Sequence, residues 1–244
     1  MRFLILGLDE RFGRSKPGYT DTIILVSISS LKRNLVMMSI PRDLWIPTSD
    51  REENRIGAVY KTAETKETGT GPGAVVALVY KSFQIPVQYY VLVNMQGFIS
   101  IVDSLSGVDI TLSQPMAGYS AGITHLDGRA ALAFARDRAE TDDFARMIQA
   151  QILIEGIITR AFKFQVWSKL PQVFRALRES IESNIPFWKW HQMALMILYA
   201  RLNRIESHTI TRDMVIPKIT PQGEQVIEPD WNKVKALTHV IFDK

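Results

Sequence analysis

The chain has 244 residues, 46% hydrophobic and 22% charged, a globular composition with length enough for one sizeable core. Its formal net charge of +4, with a pI near 9.3, suits anionic substrates or an anionic membrane surface. It has no cysteine, which excludes a disulfide framework, a thiol nucleophile and thiolate metal ligands.

A single domain over residues 1–244 is expected. No apolar run reaches the roughly 20 residues of a membrane span. The N-terminus opens into Phe3-Leu4-Ile5-Leu6 rather than a charged leader with a cleavage site, so a membrane anchor is expected to lie outside this chain. Residues 2–8 read as a buried strand followed by a loop over 9–13. The runs 22–28 and 35–40 read as strands joined by a turn at Lys32-Arg33-Asn34. Continuous β-branched runs of this kind suit a sheet covered on both faces. Residues 49–73, polar and rich in Thr, Glu and Gly, read as a mobile excursion. A helix over 73–83, a strand over 89–93, a helix over 96–105 and a strand over 108–112 follow. Asp127 is placed as the N-cap of an Ala-rich helix, 128–135. The clearest helix spans 143–162, with Met147, Ile148, Ile154, Ile157, Ile158 and Phe162 on one broad stripe. Helices over 169–183 and 187–203, a strand over 205–215 and a terminal helix from Pro229 complete the chain. Strands interleaved with helices predict an α/β layered domain.

Arg and Asp recur where the predicted elements end. Asp9 and Arg11 follow the first strand, Asp21 precedes the second, and Arg42 and Asp43 follow the third. Arg136 and Arg138 end the Ala-rich helix, and Asp142, Asp143 and Arg146 open the next. Loops at strand ends of an α/β sheet converge on one crevice, so groups far apart in sequence can share a pocket. Guanidinium forks bind phosphate oxygens bidentately and stay charged. Two carboxylates can hold a magnesium ion that also binds phosphate oxygens. Phosphoryl transfer asks mainly for positioning and charge neutralisation, which such a set supplies. The competing reading is a set of surface ion pairs and helix caps.

The motifs decide between these. Gly7-Leu8-Asp9-Glu10-Arg11, then Thr20-Asp21-Thr22-Ile23-Ile24-Leu25, resemble the opening of LytR–CpsA–Psr (LCP) domains, and Ser39-Ile40-Pro41-Arg42-Asp43 resembles their next signature. Tyr89-Tyr90-Val91, Phe98 with Val102-Asp103, and Gly107-Val108-Asp109 fit the same order. So do Leu126-Asp127-Gly128 through Ala131–Arg138, and Asp143-Phe144-Ala145-Arg146. The resemblance implies a three-layer α/β/α sandwich with a mixed central sheet and a hydrophobic polyprenyl-binding cavity. It implies a magnesium-dependent enzyme that moves a glycan-phosphate (teichoic acid, capsule or a related polymer) from a polyprenyl pyrophosphate carrier to peptidoglycan, outside the bacterial membrane and normally anchored to it. By position, Asp9 and Asp21 take the magnesium-side role, and Arg42, Arg136, Arg138 and Arg146 the pyrophosphate clamp. Asp143 would orient an arginine or assist deprotonation of the sugar hydroxyl. Three departures stand out: Tyr19-Thr20 replaces the usual Arg-Ser, Ala150-Gln151 the usual Gln-Gln, and Gly57 the usual Asn. Arg11, Arg14 or Lys16 is the expected substitute for the missing arginine, and Gln151 the remaining amide contact.

Other signals are weaker. His125, His191, His208 and His239 lack metal-ligand spacing, and Gly69–Gly73 lacks the Lys-Ser/Thr ending of a P-loop. Phe187, Trp188, Trp190 and residues 193–199 read as an amphipathic helix on the sheet, with a membrane interface as the alternative. Two other functions compete: a non-catalytic polyprenyl-phosphate binder and an envelope-related transcriptional attenuator. The chain shows no recognition helix or clustered basic stripe, so no nucleic acid partner is expected.

Overall fold

The three N-terminal apolar runs form the middle of a six-stranded mixed sheet, because residues apolar at both odd and even positions need cover on both faces. The computed structural model describes residues 1–9, 17–29, 31–48, 53–137 and 143–242. β1 (Arg2–Leu8) pairs antiparallel with β2 (Thr20–Ser29), and β2 pairs antiparallel with β3 (Asn34–Ser39). A short pair, β4 (Trp45–Pro47) and β5 (Glu53–Arg55), leads into α1 (Ile56–Lys66) and α2 (Gly71–Phe83). β6 (Tyr89–Asn94) runs parallel to β1. After it come α3 (Met95–Ser104), a hairpin of β7 (Val108–Leu112) and β8 (Gly122–Leu126), and α4 (Gly128–Arg136). The second half contains α5 (Asp143–Ala161), α6 (Leu170–Ser180), the edge strand β9 (Ile181–Ser183), α7 (Trp190–Asn203) and β10 (Arg204–Thr209), parallel to β3. A hairpin of β11 (Val215–Ile219) and β12 (Gln225–Pro229) precedes α8 (Trp231–Phe242). The sheet order is β10-β3-β2-β1-β6-β9.

Side-chain alternation along the central strands builds two cores. Leu4, Leu6, Ile23, Leu25, Val36 and Met38 face α1, α2 and α8. Phe3, Ile24, Val26, Leu35 and Met37 face the other layer, where Ala150, Ile154 and Ile158 of α5 and Met193 and Ala200 of α7 meet them. The result is the expected α/β/α sandwich. A third cluster joins α3, α4, β7 and β8 to Leu153 and Ile157, so α5 is wedged between two cores. Asp127 caps α4 as expected, accepting from the Ala130 amide at 2.8 Å.

Three expectations need correction. Much of the region read as a mobile excursion, 49–73, is helix α1. It buries only Ile56, Gly57 and Tyr60, so its Thr, Glu and Lys content hides a narrow apolar face. The strand expected over 205–215 is two strands with a 3-10 turn at Arg212–Met214 between them, where the Thr211 hydroxyl bonds the Asp213 carboxylate. The helix expected over 169–183 stops at Ser180, where the chain turns into edge strand β9.

Candidate active site

Strands β1, β3, β6 and β10 run in one direction, so their carboxyl ends share one edge of the sheet, together with the start of antiparallel β2. That edge collects the charged residues. Arg42 Nη1 donates to Asp21 Oδ1 at 2.8 Å, and Arg146 Nη2, one turn into α5, lies 3.4 Å from Asp21 Oδ2. Arg42 Nε lies 3.4 Å from Asp43 Oδ2, and Arg55 Nε lies 3.3 Å from Asp43 Oδ1. Arg55 also donates to the Gln225 carbonyl at 3.1 Å, tying the strand to the β11–β12 hairpin. Arg146, Asp21, Arg42, Asp43 and Arg55 thus form one ribbon of alternating charge, with side-chain exposures from 11% for Arg146 to 32% for Arg55. Such burial strengthens electrostatics over an exposed pair, and the carboxylates hold the guanidinium forks in place before any ligand arrives.

Arg146, Asp21, Arg42 and Asp43 of this ribbon floor a cleft of about 610 Å³. Phe144 and Met147 of α5 supply one apolar wall, and Ile219, Val226 and Ile227 of the hairpin supply another. Lys218 stands on that hairpin, bonded to Glu228. A charged floor between apolar walls suits an amphiphile with an anionic head.

A second pair flanks the cleft. Arg136 Nη2 lies 3.8 Å from Asp9 Oδ1, and its other amino group reaches the Met95 sulfur at 3.2 Å. Ala135 beside it lines the cleft. Asp137, just past the end of α4, is extended (φ −62°, ψ 135°). Asp143 is the first residue of α5. Arg11, Arg14, Lys16, Arg138 and Asp142 lie outside the described residues.

The structure places Gln151 elsewhere. It is 4% exposed, and its amide donates to the Ser39 hydroxyl at 2.8 Å and the His208 carbonyl at 2.6 Å. It is a strut tying α5 to β3 and β10, one residue behind the cleft wall that Ser39 lines. Among the described residues no cluster of three His, Asp or Glu forms a metal site. Sequence reasoning missed Arg55, which sits just before the unrecognised α1, and the β11–β12 wall, whose short strands carry no clear alternation.

The profile of the LytR_cpsA_psr family matches residues 1–240. The chain belongs to that family. Over 189 residues it is 30% identical to the polyisoprenyl-teichoic acid–peptidoglycan teichoic acid transferase TagU of Bacillus cereus (strain AH820), covering 75% of this chain and 59% of that protein. The chain therefore spans about 59% of the length of that curated relative. The crystal structure of B. subtilis TagV superposes with a TM-score of 0.77 at 22% identity, covering 100% of this chain and 97% of that one. A structure of TagT bound to LIIa-WTA gives a TM-score of 0.78 at 19% identity, covering 100% and 89%.

Two departures from the LytR_cpsA_psr pattern acquire physical reasons. A Cβ on Gly57 would lie 2.8 Å from the Thr20 carbonyl oxygen and 3.0 Å from Arg42, so no side chain fits there. Tyr19, where the pattern has arginine, holds a different cation: Lys61 of α1 bonds its hydroxyl at 3.0 Å and lies 4.1 Å from its ring centroid. Ala150 packs on the sheet core.

Proposed function

We propose that this chain transfers a glycan-phosphate, with wall teichoic acid as the first candidate, from a polyprenyl pyrophosphate carrier to peptidoglycan, outside the cell membrane and anchored to it. The observation that carries the reading is the partly buried ribbon of Arg146, Asp21, Arg42 and Asp43 on the floor of an apolar-walled cleft, extended behind it by Arg55. Membership of the LytR_cpsA_psr family and the likeness to teichoic acid transferases support it.

In this reading Arg42 and Arg146 bind the diphosphate oxygens, and Arg136 holds the glycan-side phosphate from across the cleft. An acceptor sugar hydroxyl oxygen forms a bond to the glycan-bearing phosphorus as the bond from that phosphorus to the bridging oxygen breaks. Polyprenyl monophosphate leaves with the electron pair, and the hydroxyl proton passes to a carboxylate. Asp143 at the head of α5 takes that proton or orients an arginine. Negative charge grows on the bridging oxygen, and preoriented guanidinium groups stabilise it. Phe144 and Met147 offer an apolar surface to the first isoprene units.

Asp9 and Asp21 are the carboxylates that would hold magnesium. Hard oxygen donors fit the ion, which commonly takes one or two carboxylates and completes its shell with phosphate oxygens and water. Bound there, it would neutralise diphosphate charge.

Incubating purified protein with a lipid-linked teichoic acid precursor, peptidoglycan oligomers and magnesium is expected to yield polymer-linked glycan and polyprenyl monophosphate. Absence of both products with teichoic acid, capsule and other polyprenyl-linked donors overturns the proposal.

A further inference from the structure

We propose that the outer face of α7, with the Phe187–Lys189 turn before it and α6 beside it, docks flat on an anionic lipid bilayer. α7 is apolar on both sides. Its inner side, Met193, Ile197 and Ala200, packs on the sheet. Its outer side presents Leu195, 51% exposed, and Tyr199, 55% exposed, one turn apart, and the turn before it presents Trp188, 68% exposed. Phe187, 73% exposed, stacks edge-on against exposed Phe174 of α6 with centroids 6.0 Å apart. A helix apolar all round is ordinarily buried, so this stripe lacks the cover its composition calls for. The inner packing expected for this helix is present, and the interface alternative describes its other side.

Charge selects the occupant. Residues 163–204 carry seven Lys and Arg against only Glu179 and Glu182, a net +5 within a chain whose total is +4. The remainder of the chain is therefore slightly acidic, at −1. Lys169, Arg175 and Arg178 are exposed at the start of or along α6, the helix that carries Phe174, with Arg178 one turn after it. Exposed Trp and Phe among basic side chains match the headgroup zone of an anionic membrane, where aromatic rings sit at the interface and each cation adds attraction. A protein partner would need a complementary acidic surface of its own.

The placement is compatible with catalysis. Lys189 bonds the Tyr89 hydroxyl at the start of β6, whereas the cleft lies at the strands' other end. Asp21 on the cleft floor lies just beyond Thr22, which is level with Val93 through Gly7, so most of the length of β6, roughly 15 Å, separates the charged floor from the docked turn and a docked bilayer leaves that floor open. The choice of occupant rests on the carrier-lipid reading above. Vesicles without donor or acceptor test the docking alone, so its failure and a failure of transfer are distinct results.

The test is co-flotation with phosphatidylcholine vesicles, with and without phosphatidylglycerol, at low and high salt. Binding is expected with phosphatidylglycerol, weaker without it, and reduced by salt. Trp188→Ser with Leu195→Ser should cut binding roughly tenfold or more by removing buried apolar surface. Lys169→Glu with Arg178→Glu should abolish the preference for anionic vesicles, and thermal melting should show both variants folded. Binding to neither vesicle, or binding unchanged in the folded Trp188/Leu195 variant, overturns the proposal. So does a dimer in ultracentrifugation that this variant dissolves in place of vesicle binding, because a second copy would then cover the face.

Discussion

Arg42 and Asp21 meet at 2.8 Å in a ribbon that gathers β2, the loop after β3 and the first turn of α5. Asp21 uses its second oxygen for Arg146, 125 positions away in sequence. One carboxylate thus holds two forks side by side, close to where two phosphates of a diphosphate would sit. The site is assembled by the fold itself, so little reorganisation is needed when an anion binds.

Lys61 places a cation on the ring of Tyr19, at the position where the LytR_cpsA_psr pattern has an arginine. The Thr20 hydroxyl donates to the Gly57 carbonyl at 3.1 Å, which ties α1 to the strand that carries Asp21. Lys61 lies one turn further along α1, over the Tyr19 ring. Lys61→Met is expected to raise the donor KM about fivefold, equivalent to about 1 kcal/mol, with kcat nearly unchanged. Steady-state kinetics check this, and an unchanged KM would make the contact purely structural.

Two glutamines on α5 should behave oppositely. Gln151→Leu strands the Ser39 hydroxyl and the His208 carbonyl, and is expected to cost about 2 kcal/mol, seen as a Tm several degrees lower. Gln149 is fully buried, yet neither end of its amide has a hydrogen-bond partner among the described residues. Gln149→Met should be neutral or stabilising by about 1 kcal/mol, since it removes a desolvated amide. A folded Gln149→Met protein that loses transfer would show instead that the amide waits for a ligand.

The contrast shows what was legible. Strands β1, β2, β3 and β6 and helix α5 declare themselves by long apolar runs or one broad stripe, and the positions of Asp21, Arg42 and Arg146 at their ends follow. Helix α1 does not, because Ile56 and Tyr60 are too few to mark a period among Lys, Thr and Glu. Arg55 and Lys61 went unseen with it. The β11–β12 wall escaped because a strand with Pro217 and exposed Ile216 and Ile219 lacks clear alternation. Gln151 was read as a ligand contact because sequence order cannot distinguish the side of α5 that faces the cleft from the side that grips β3.

Acid sensitivity should trace to Asp109 on β7. The Lys163 ammonium at 2.8 Å and the His125 ring at 2.7 Å hold its carboxyl at about 2, below its ordinary 3.8. A depressed carboxylate stabilises the fold above its unfolded pKa, and the contribution fades as pH falls from 3.8 towards 2. With solvent screening at its partly exposed position the effect is about 1 kcal/mol. Asp109→Asn is expected to lower Tm by a few degrees at neutral pH and to flatten the stability profile across that acid window. Denaturant titrations at several pH values check it.

The most direct test is calorimetric titration with a short-chain polyprenyl pyrophosphate, with and without magnesium. The wild-type chain should bind it. Arg42→Lys keeps the charge but loses the fork, and Arg146→Ala removes the second fork. Each should weaken binding about tenfold or more while Tm changes by only a few degrees. Wild-type affinity in both folded variants would contradict diphosphate recognition by this ribbon.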